Sequence, residues 1–200
     1  MQKSTSISSA QNKSQESNTP HKSLFLHNIS VEANFFRYPP FHMSDFSLLQ
    51  NAGELPDAGN MRFGIIVTEW NRPITDALLK GALDALKACG VSESSISVRR
   101  VPGSFELVYG CSRMAQHGYI DAIIALGCVI RGDTPHFDYI CSGTTEGLVH
   151  LNLEGKIPVI NGVLTVNTEE QALERANRMN KGAEFAITAV KMVAYAHSFD

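Results

Sequence analysis

The feature that most constrains the fold of this chain is a regular alternation of short apolar runs with longer stretches of helical periodicity. Four apolar runs of strand length occupy residues 63–67, 96–101, 122–130 and 157–164. They are rich in β-branched residues and apolar at consecutive positions, which is typical of strands buried on both faces. Strands of this kind belong in a parallel sheet that helices cover on both sides.

A stretch with helical spacing follows each run. The first helix is predicted to end at Gly90 and the second at Gly118, because glycine favours the left-handed backbone that closes a helix. A third helix begins near His136, and residues 168–171 form a T-x-x-Q capping box that starts another. The inward residues predicted for the third and the last helix are Phe137, Ile140, Cys141, Thr144 and Leu148, and Ala186, Ile187, Val190, Val193 and Ala194. The alternation predicts a three-layer α/β/α sandwich with a four-stranded parallel, flavodoxin-like sheet.

A chain of 200 residues is expected to hold one domain and a tail. Residues 1–60 are at first rich in Ser, Asn and Gln and have no periodic apolar face, so we expect a largely disordered N-terminal extension. Residues 61–200 are the predicted catalytic domain. A further hypothesis is that translation starts at Met43.

Charge and cysteine usage exclude several classes of function. The formal net charge of −3 gives no basic field that would gather nucleic acid or an anionic membrane surface. No apolar run approaches the roughly 18 residues that span a bilayer. The four cysteines include no C-x-x-C pair and lie in apolar runs, so they are predicted to be reduced core thiols of a cytoplasmic protein.

The predicted topology indicates where function lies. In doubly wound sheets, ligands bind beyond the carboxyl ends of the strands. The residues that we assign to these exits are Trp70-Asn71, 102–106 (PGSFE), 131–136 (RGDTPH) and Asn161-Gly162. An aromatic ring, hydroxyls, carboxylates, amides and an imidazole are therefore expected to meet in one pocket.

His136 is the strongest candidate for proton transfer, since only an imidazole changes its protonation near neutral pH without special tuning. Thr134 is expected to cap the third helix and Pro135 to occupy its first turn. The helix dipole would then favour a neutral ring that can accept a proton. The alternative is a surface histidine beside a helix cap.

The remaining candidates carry weaker signals. Arg131, Arg175 and Lys181 could bind a phosphate group or could simply be solvated. Trp70 could stack on a planar ring or plug the core edge, and Glu106 could accept a ligand hydroxyl or favour its helix start. Because no dinucleotide, P-loop or zinc motif is present, we expect chemistry without a cofactor or metal.

Three segments together resemble the lumazine synthase (6,7-dimethyl-8-ribityllumazine synthase) family. They are VPGSFE at 101–106, ALGCVIRGDTPHFDY at 125–139 and GVLT at 162–165. The resemblance covers residues 61–197, and its G-x-V-I-[RK]-G-x-T-x-H-[FY] stretch is highly specific. It implies that 5-amino-6-(D-ribitylamino)uracil condenses with 3,4-dihydroxy-2-butanone 4-phosphate to give the lumazine, phosphate and water in riboflavin biosynthesis.

The resemblance also implies a role for each matching residue. His136 matches the catalytic histidine, Asp133 and Thr134 the loop for the phosphorylated substrate, and Arg175 a phosphate-binding arginine supplied by a neighbouring subunit. Lys181 is assigned to the same substrate. The residues implied for the ribitylaminouracil are Trp70, Ser104, Phe105, Glu106, Cys128, Val129, Ile130 and the position of Asn161. Asn71, which follows Trp70 at the exit of the first strand, is assigned to the same substrate.

Two departures from the family pattern stand out. Asn161 replaces a phenylalanine found in many members, and residues 175–181 form a shorter segment than the usual glycine-rich version. The implied assembly is a pentamer with shared sites, which can build a 60-subunit shell, and riboflavin synthase is a further expected partner.

The sequence leaves three rival functions open. They are an archaeal-type riboflavin synthase that disproportionates lumazine, a noncatalytic flavin-binding or cage-forming protein, and a flavodoxin-like nucleotide-binding module. The last would need a phosphate loop after the first strand, where this chain has TEWNR at 68–72.

Overall fold

The structure is a computed structural model that describes residues 56–116 and 119–199. Its four strands are β1 (Phe63–Thr68), β2 (Ile96–Val101), β3 (Ala122–Ile130) and β4 (Val159–Val166). Its α-helices are α1 (Arg72–Ala88), α2 (Leu107–Ala115), α3 (His136–Leu153), α4 (Glu169–Leu173) and α5 (Lys181–His197). A π-helical turn, Glu174–Arg178, joins α4 to α5.

The strands form one parallel sheet in the order β2-β1-β3-β4. Alternate side chains of β1 enter two separate apolar cores, because successive residues of a strand point to opposite faces. Ile65 and Val67 pack with α1 and α5 in the larger core, and Ile66 packs with α2 and α3 in the smaller one. This arrangement confirms the predicted three-layer sandwich with a flavodoxin-like sheet.

Small residues let the helices in each layer approach closely. A Cβ atom on Gly182 of α5 would overlap the backbone oxygen of Leu78 in α1. On the other face, a Cβ atom on Gly147 of α3 would lie 2.5 Å from Val108 Cγ2 in α2. The close contacts between α1 and α5 and between α2 and α3 therefore both depend on a glycine, which has no Cβ atom.

Three local predictions were wrong. β4 runs to Val166, so Asn161 is the third residue of the strand and does not lie at its exit. Pro135 is the N-cap of α3 and no side chain caps the helix, so Thr134 does not cap it. Of the residues predicted to face inward from α3, only Thr144 and Leu148 are buried, because this helix packs on the sheet along one narrow face.

The capping box of α4 is confirmed. Thr168 Oγ1 accepts a hydrogen bond from the backbone N–H of Gln171 at 3.3 Å, and Gln171 Oε1 accepts one from the N–H of Asn167 at 2.9 Å. Gly90 has a left-handed φ of 89° just after α1, as predicted, whereas Gly118 lies outside the described residues.

The N-terminal prediction and Met43 fall mainly on residues 1–55, which lie outside the described residues. Ala58 is fully buried and belongs to the larger core, so packing begins slightly before the predicted boundary at residue 61. No helix among the described residues has the length and apolar character needed to cross a membrane.

Candidate active site

A cavity of about 460 Å³ opens at the carboxyl ends of β1, β2 and β3. The loops after β1 and β2, the end of β3 and the start of α3 form its wall, which is where a doubly wound sheet places its ligands. Its lining residues are Trp70, Asn71, Gly103, Ser104, Phe105, Glu106, Cys128, Val129, Ile130, His136 and Ile140. Nine of the sequence-predicted site residues are therefore brought together.

The turn between β1 and α1 supplies Trp70 and Asn71. Trp70 is 71% exposed, so it stands at the mouth of the cavity and does not plug the core. Its backbone N–H donates a hydrogen bond to the Pro102 carbonyl at 3.1 Å. Asn71 has a left-handed backbone, and its Nδ2 donates a hydrogen bond to the Cys128 carbonyl at 3.0 Å.

The loop between β2 and α2 supplies the second wall. Ser104 is 7% exposed, and its Oγ lies close to Gly127, where a Cβ atom would come within 2.9 Å. The Phe105 ring covers Gly143 of α3 and leaves 55% of the residue exposed. Glu106 precedes α2, and its carboxylate folds back over Gly103. The loop therefore presents a ring, a hydroxyl and a carboxylate together.

The third wall runs from the end of β3 into α3. His136 is the first residue of α3, which confirms the predicted helix start, and its side chain is exposed. Arg131 Nη2 donates a hydrogen bond to Asp138 Oδ1 at 2.8 Å, and its guanidinium lies 4.1 Å from the centre of the Phe137 ring. The Arg131 side chain is thus already engaged by residues of α3, the helix that follows it.

Cys128 is the buried thiol of the cavity wall. Burial, together with the charge of Glu169, raises the pKa of Cys128 to about 11. The group is a neutral thiol at physiological pH and contributes shape to the wall instead of a nucleophile. None of the four cysteines, all of which are described, forms a disulfide.

Five predicted site residues do not line this cavity. Asp133 and Thr134 are exposed in the loop before α3. Asn161 pairs with Ala125, and β4 ends five residues later at Val166, so Asn161 lies roughly 16 Å from the strand exit. Arg175 and Lys181 lie beyond α4, in the π-helical turn and at the start of α5.

Lys181 lies beside the middle of α1, far from the cavity at the start of that helix. Its neighbour Asn180 contacts Gly81, which lies nine residues beyond the start of α1, roughly 14 Å along the helix axis. Lys181 Nζ pairs with the Glu184 carboxylate at 2.7 Å, and both side chains are largely buried. Arg175 Nη1 donates a hydrogen bond to the Gln171 carbonyl at 3.0 Å.

Two lining residues had no role assigned from the sequence, although Gly103 belongs to the predicted exit segment 102–106. The structure confirms that Gly103 lies at the cavity with the rest of its exit segment. Ile140 is one turn beyond His136 on the same helix face. The spacing of four residues from His136 was the signal that could have identified it.

A larger open groove, of about 850 Å³, lies beside β2 and α2. Its walls include Arg62, Arg99, Arg113, Tyr109 and Tyr119, but none of its described lining residues is a carboxylate or histidine. It therefore lacks the acid–base groups that the smaller cavity contains. Nor do the described residues anywhere group three His, Cys, Asp or Glu side chains as a metal site would.

Comparison with known proteins agrees with the specific motif around His136. The family model described as 6,7-dimethyl-8-ribityllumazine synthase matches residues 60–197 of the chain. The chain is 53% identical over 156 residues to a protein of that name from Phocaeicola vulgatus, covering 77% of this chain and 90% of the relative. It is 55% identical over 142 residues to one from Bacteroides fragilis, covering 70% and 99%.

A third similar protein of the same name comes from Porphyromonas gingivalis, with 54% identity over 140 residues, 69% of this chain and 87% of the relative. The matched region contains every strand and helix described above and all the walls of the cavity. The chain therefore belongs to the 6,7-dimethyl-8-ribityllumazine synthase family.

Proposed function

We propose that this chain condenses 5-amino-6-(D-ribitylamino)uracil with 3,4-dihydroxy-2-butanone 4-phosphate, giving 6,7-dimethyl-8-ribityllumazine, inorganic phosphate and water. The reaction joins an aromatic amine to a ketone, eliminates phosphate and closes a ring. It needs two substrates held together and a group that moves protons, but no redox step.

The observation that carries the proposal is the composition of the cavity wall. An exposed indole, a hydroxyl, a carboxylate and an imidazole line one space of about 460 Å³, which is in the size range of small-molecule sites. Positioning of two substrates supplies several kcal/mol of a barrier, and a well-placed proton shuttle adds roughly 10²- to 10⁴-fold.

Each wall has a proposed role in holding the pyrimidine substrate. Trp70 stacks on the pyrimidine ring, while Ser104, Phe105 and Glu106 hold its ribityl chain. Cys128, Val129 and Ile130 contact the ring edge, which suits the backbone groups at the end of a strand. Asn161, which lies away from the cavity of its own chain, is proposed to contact a pyrimidine bound by a neighbouring subunit.

The phosphorylated substrate is proposed to bind at the start of α3. The helix begins without a side-chain cap, so its first N–H groups remain available to an anion. Asp133 and Thr134 form the adjacent loop, and His136 transfers protons during imine formation and phosphate release. Arg175 and Lys181 add positive charge to the phosphate site.

We propose that the active unit is a homo-oligomer, a pentamer that can assemble into a 60-subunit shell. Support comes from the distance between Lys181 and the cavity of its own chain, because a neighbour can bring this residue and Arg175 closer. Exposed apolar side chains on α2 and α3 also support an interface; they are Tyr109, Tyr139, Val149 and Leu153. Riboflavin synthase is a proposed further partner, and the reduced thiols favour a cytoplasmic location.

The test is a reaction of the purified protein with both proposed substrates. Lumazine absorbance and inorganic phosphate should rise together and in equal amounts. Lumazine supplied alone should give no riboflavin, since riboflavin from lumazine would identify the archaeal-type riboflavin synthase activity instead. Binding of the pyrimidine without any phosphate release would favour the noncatalytic alternative.

A further inference from the structure

We infer that Asn71 is a positioning residue, whose side-chain amide fixes Trp70 over the cavity by holding the β1–α1 turn to the end of β3. This inference rests on the proposed function of the cavity. It assigns to Asn71 a role through the Cys128 carbonyl, in addition to any contact with substrate. Three structural observations support it.

The first is the backbone of Asn71. Its φ of 56° and ψ of 42° lie in the left-handed region, which asparagine tolerates better than most residues because its short side chain forms local hydrogen bonds. The residue directly follows Trp70 and directly precedes α1. The conformation of Asn71 therefore sets the direction in which the chain leaves Trp70.

The second is the point at which the sheet stops holding β1 to β3. The last residue pair between these strands is Val67 with Leu126. The Cys128 carbonyl lies two residues beyond this pair and accepts a hydrogen bond from Asn71 Nδ2 at 3.0 Å. A side-chain amide thus continues the connection where backbone pairing ends, at the point where the cavity opens.

The third is the asymmetry between the two sides of the turn. Towards β2, the turn is held by backbone bonds from the N–H groups of Glu69 and Trp70 to the carbonyls of Val101 and Pro102 at 2.9 and 3.1 Å. Towards β3, the described contact is the amide of Asn71. Substitution of one side chain can therefore release one side of the turn and leave the other intact.

Loss of the Asn71 hydrogen bond should lower the apparent affinity for the pyrimidine substrate. If the turn samples several positions, only a fraction of molecules presents Trp70 correctly, and the apparent affinity falls by that fraction. Chemistry in the bound complex is unchanged. The expected signature is a raised KM for the pyrimidine substrate with little change in kcat.

The chain contains a single tryptophan, so its fluorescence anisotropy reports on Trp70 without substrate. The informative variant is Asn71→Asp, which keeps size and tolerance of the left-handed backbone but replaces the donor with a second acceptor facing the carbonyl. Asn71→Gly keeps the backbone and removes the amide. Neither variant requires any other part of the fold to change.

Asn180 offers a matched control. It has the same left-handed backbone, with a φ of 48°, and it also precedes a helix. Its side-chain oxygen, however, accepts a hydrogen bond from the Ala183 N–H at 3.4 Å. Asn180→Asp therefore preserves the contact, because aspartate is a good acceptor at a helix N-terminus.

We expect Asn71→Asp and Asn71→Gly to add a fast component to the anisotropy decay of Trp70 in the ligand-free protein, and Asn180→Asp to leave the decay unchanged. The KM for the pyrimidine should rise about 2- to 12-fold in both Asn71 variants, the effect of one ordinary hydrogen bond, with kcat within about twofold. An unchanged decay in the Asn71 variants would overturn the inference, even with a raised KM, since that pattern describes a simple ligand contact.

A faster decay in Asn180→Asp as well would also overturn it, because the effect would then be general loosening. If the wild-type protein makes no lumazine, the proposed function fails, while the anisotropy comparison still decides whether the Asn71 amide holds Trp70.

Discussion

The Arg131 guanidinium donates hydrogen bonds to both carboxylate oxygens of Asp138, at 2.8 and 3.4 Å. Its position over the Phe137 ring, 4.1 Å from the ring centre, fixes it further. The pair closes residues 132–135 into a short loop immediately before His136. Arg131 was a phosphate candidate from the sequence, and its engagement with Asp138 makes it a support of this loop.

Removal of this ion pair should weaken binding of the phosphorylated substrate. Both side chains are about half exposed, so the pair contributes up to about 1 kcal/mol. We expect Arg131→Ala and Asp138→Ala each to raise the KM for the butanone phosphate up to about fivefold. In a double-mutant cycle, the double variant should raise this KM no more than the more impaired single variant does. Additive losses would show that the two residues act separately.

His136→Ala should slow turnover about 10²- to 10⁴-fold if the imidazole transfers protons. The fold and pyrimidine binding should be largely retained, since the side chain is exposed at the start of α3. His150→Ala is the matched control, because His150 is exposed in the last turn of the same helix. Turnover by His136→Ala at the wild-type rate would remove His136 from the mechanism.

Subunit sharing predicts rescue between two inactive variants. His136→Ala lacks the proposed proton shuttle and Arg175→Ala lacks the proposed phosphate ligand, so each homo-oligomer should be nearly inactive. In a randomly mixed ring, about a quarter of the interfaces would combine both intact residues. Activity after co-refolding, measured against the unmixed variants, checks this, and its absence would indicate that both residues serve one chain's site.

Alkaline pH should destabilise the fold through buried thiols. Burial raises the pKa of Cys111 to about 12, and the pKa of Cys128 is raised to about 11, from an ordinary value of 9.0. Below pH 9.0 both states hold these protons, so the stabilisation is fully present. Above it, the unfolded chain releases them first, and the free energy of unfolding falls by about 1.4 kcal/mol per pH unit per thiol until the folded pKa is reached.

Cys111→Ala isolates one of these contributions. The variant should be less stable at neutral pH because a buried atom is lost. Between about pH 9 and 11, however, its free energy of unfolding should fall less steeply than that of the wild type. Urea unfolding at several pH values measures both slopes, and parallel slopes would contradict the assignment.

The crossing of α1 and α5 should be intolerant of a side chain. We expect Gly182→Ala to lower the free energy of unfolding by at least about 1–3 kcal/mol, the usual cost of overpacking, because the added methyl meets the Leu78 backbone. Gly132→Ala is the control, since a Cβ atom at Gly132 would meet no other atom within 4 Å. Urea unfolding should place this control within about 0.5 kcal/mol of the wild type.

The sequence predicted the sheet well because apolar runs report burial directly. The predicted bounds of β2 and β3 coincide with the observed strands. β4 begins two residues later than predicted, just after Pro158, and continues through the exposed Thr165 and on to Val166. Asn161 lay within the predicted run, but its polar side chain before Gly162 was interpreted as a strand exit. In an edge strand such a side chain can face solvent while the backbone stays paired, as Asn161 does with Ala125.

The candidate site was predictable only as far as topology reaches. A parallel sheet brings the ends of its strands to one edge, so residues such as Trp70, Ser104 and Cys128 could be grouped from the order of strands and helices alone. The bond from Asn71 to Cys128 could not, because it joins residues 57 positions apart. Such contacts depend on the twist and spacing of strands, which no local pattern encodes.

The unequal cores on the two faces of the sheet have a dynamic consequence. In a dissociated subunit, local opening needs less free energy where fewer apolar side chains are buried, so amide hydrogens of α2 and α3 should exchange with solvent sooner than those of α1 and α5. The proposed interface on α2 and α3 should reduce this difference in the oligomer. His136 and Ile140 lie on the faster-exchanging layer, while Cys128 lies on the central sheet. The cavity wall formed by α3 is therefore expected to open locally more readily than the wall formed by β3. A bound molecule should slow deuterium uptake chiefly along α3.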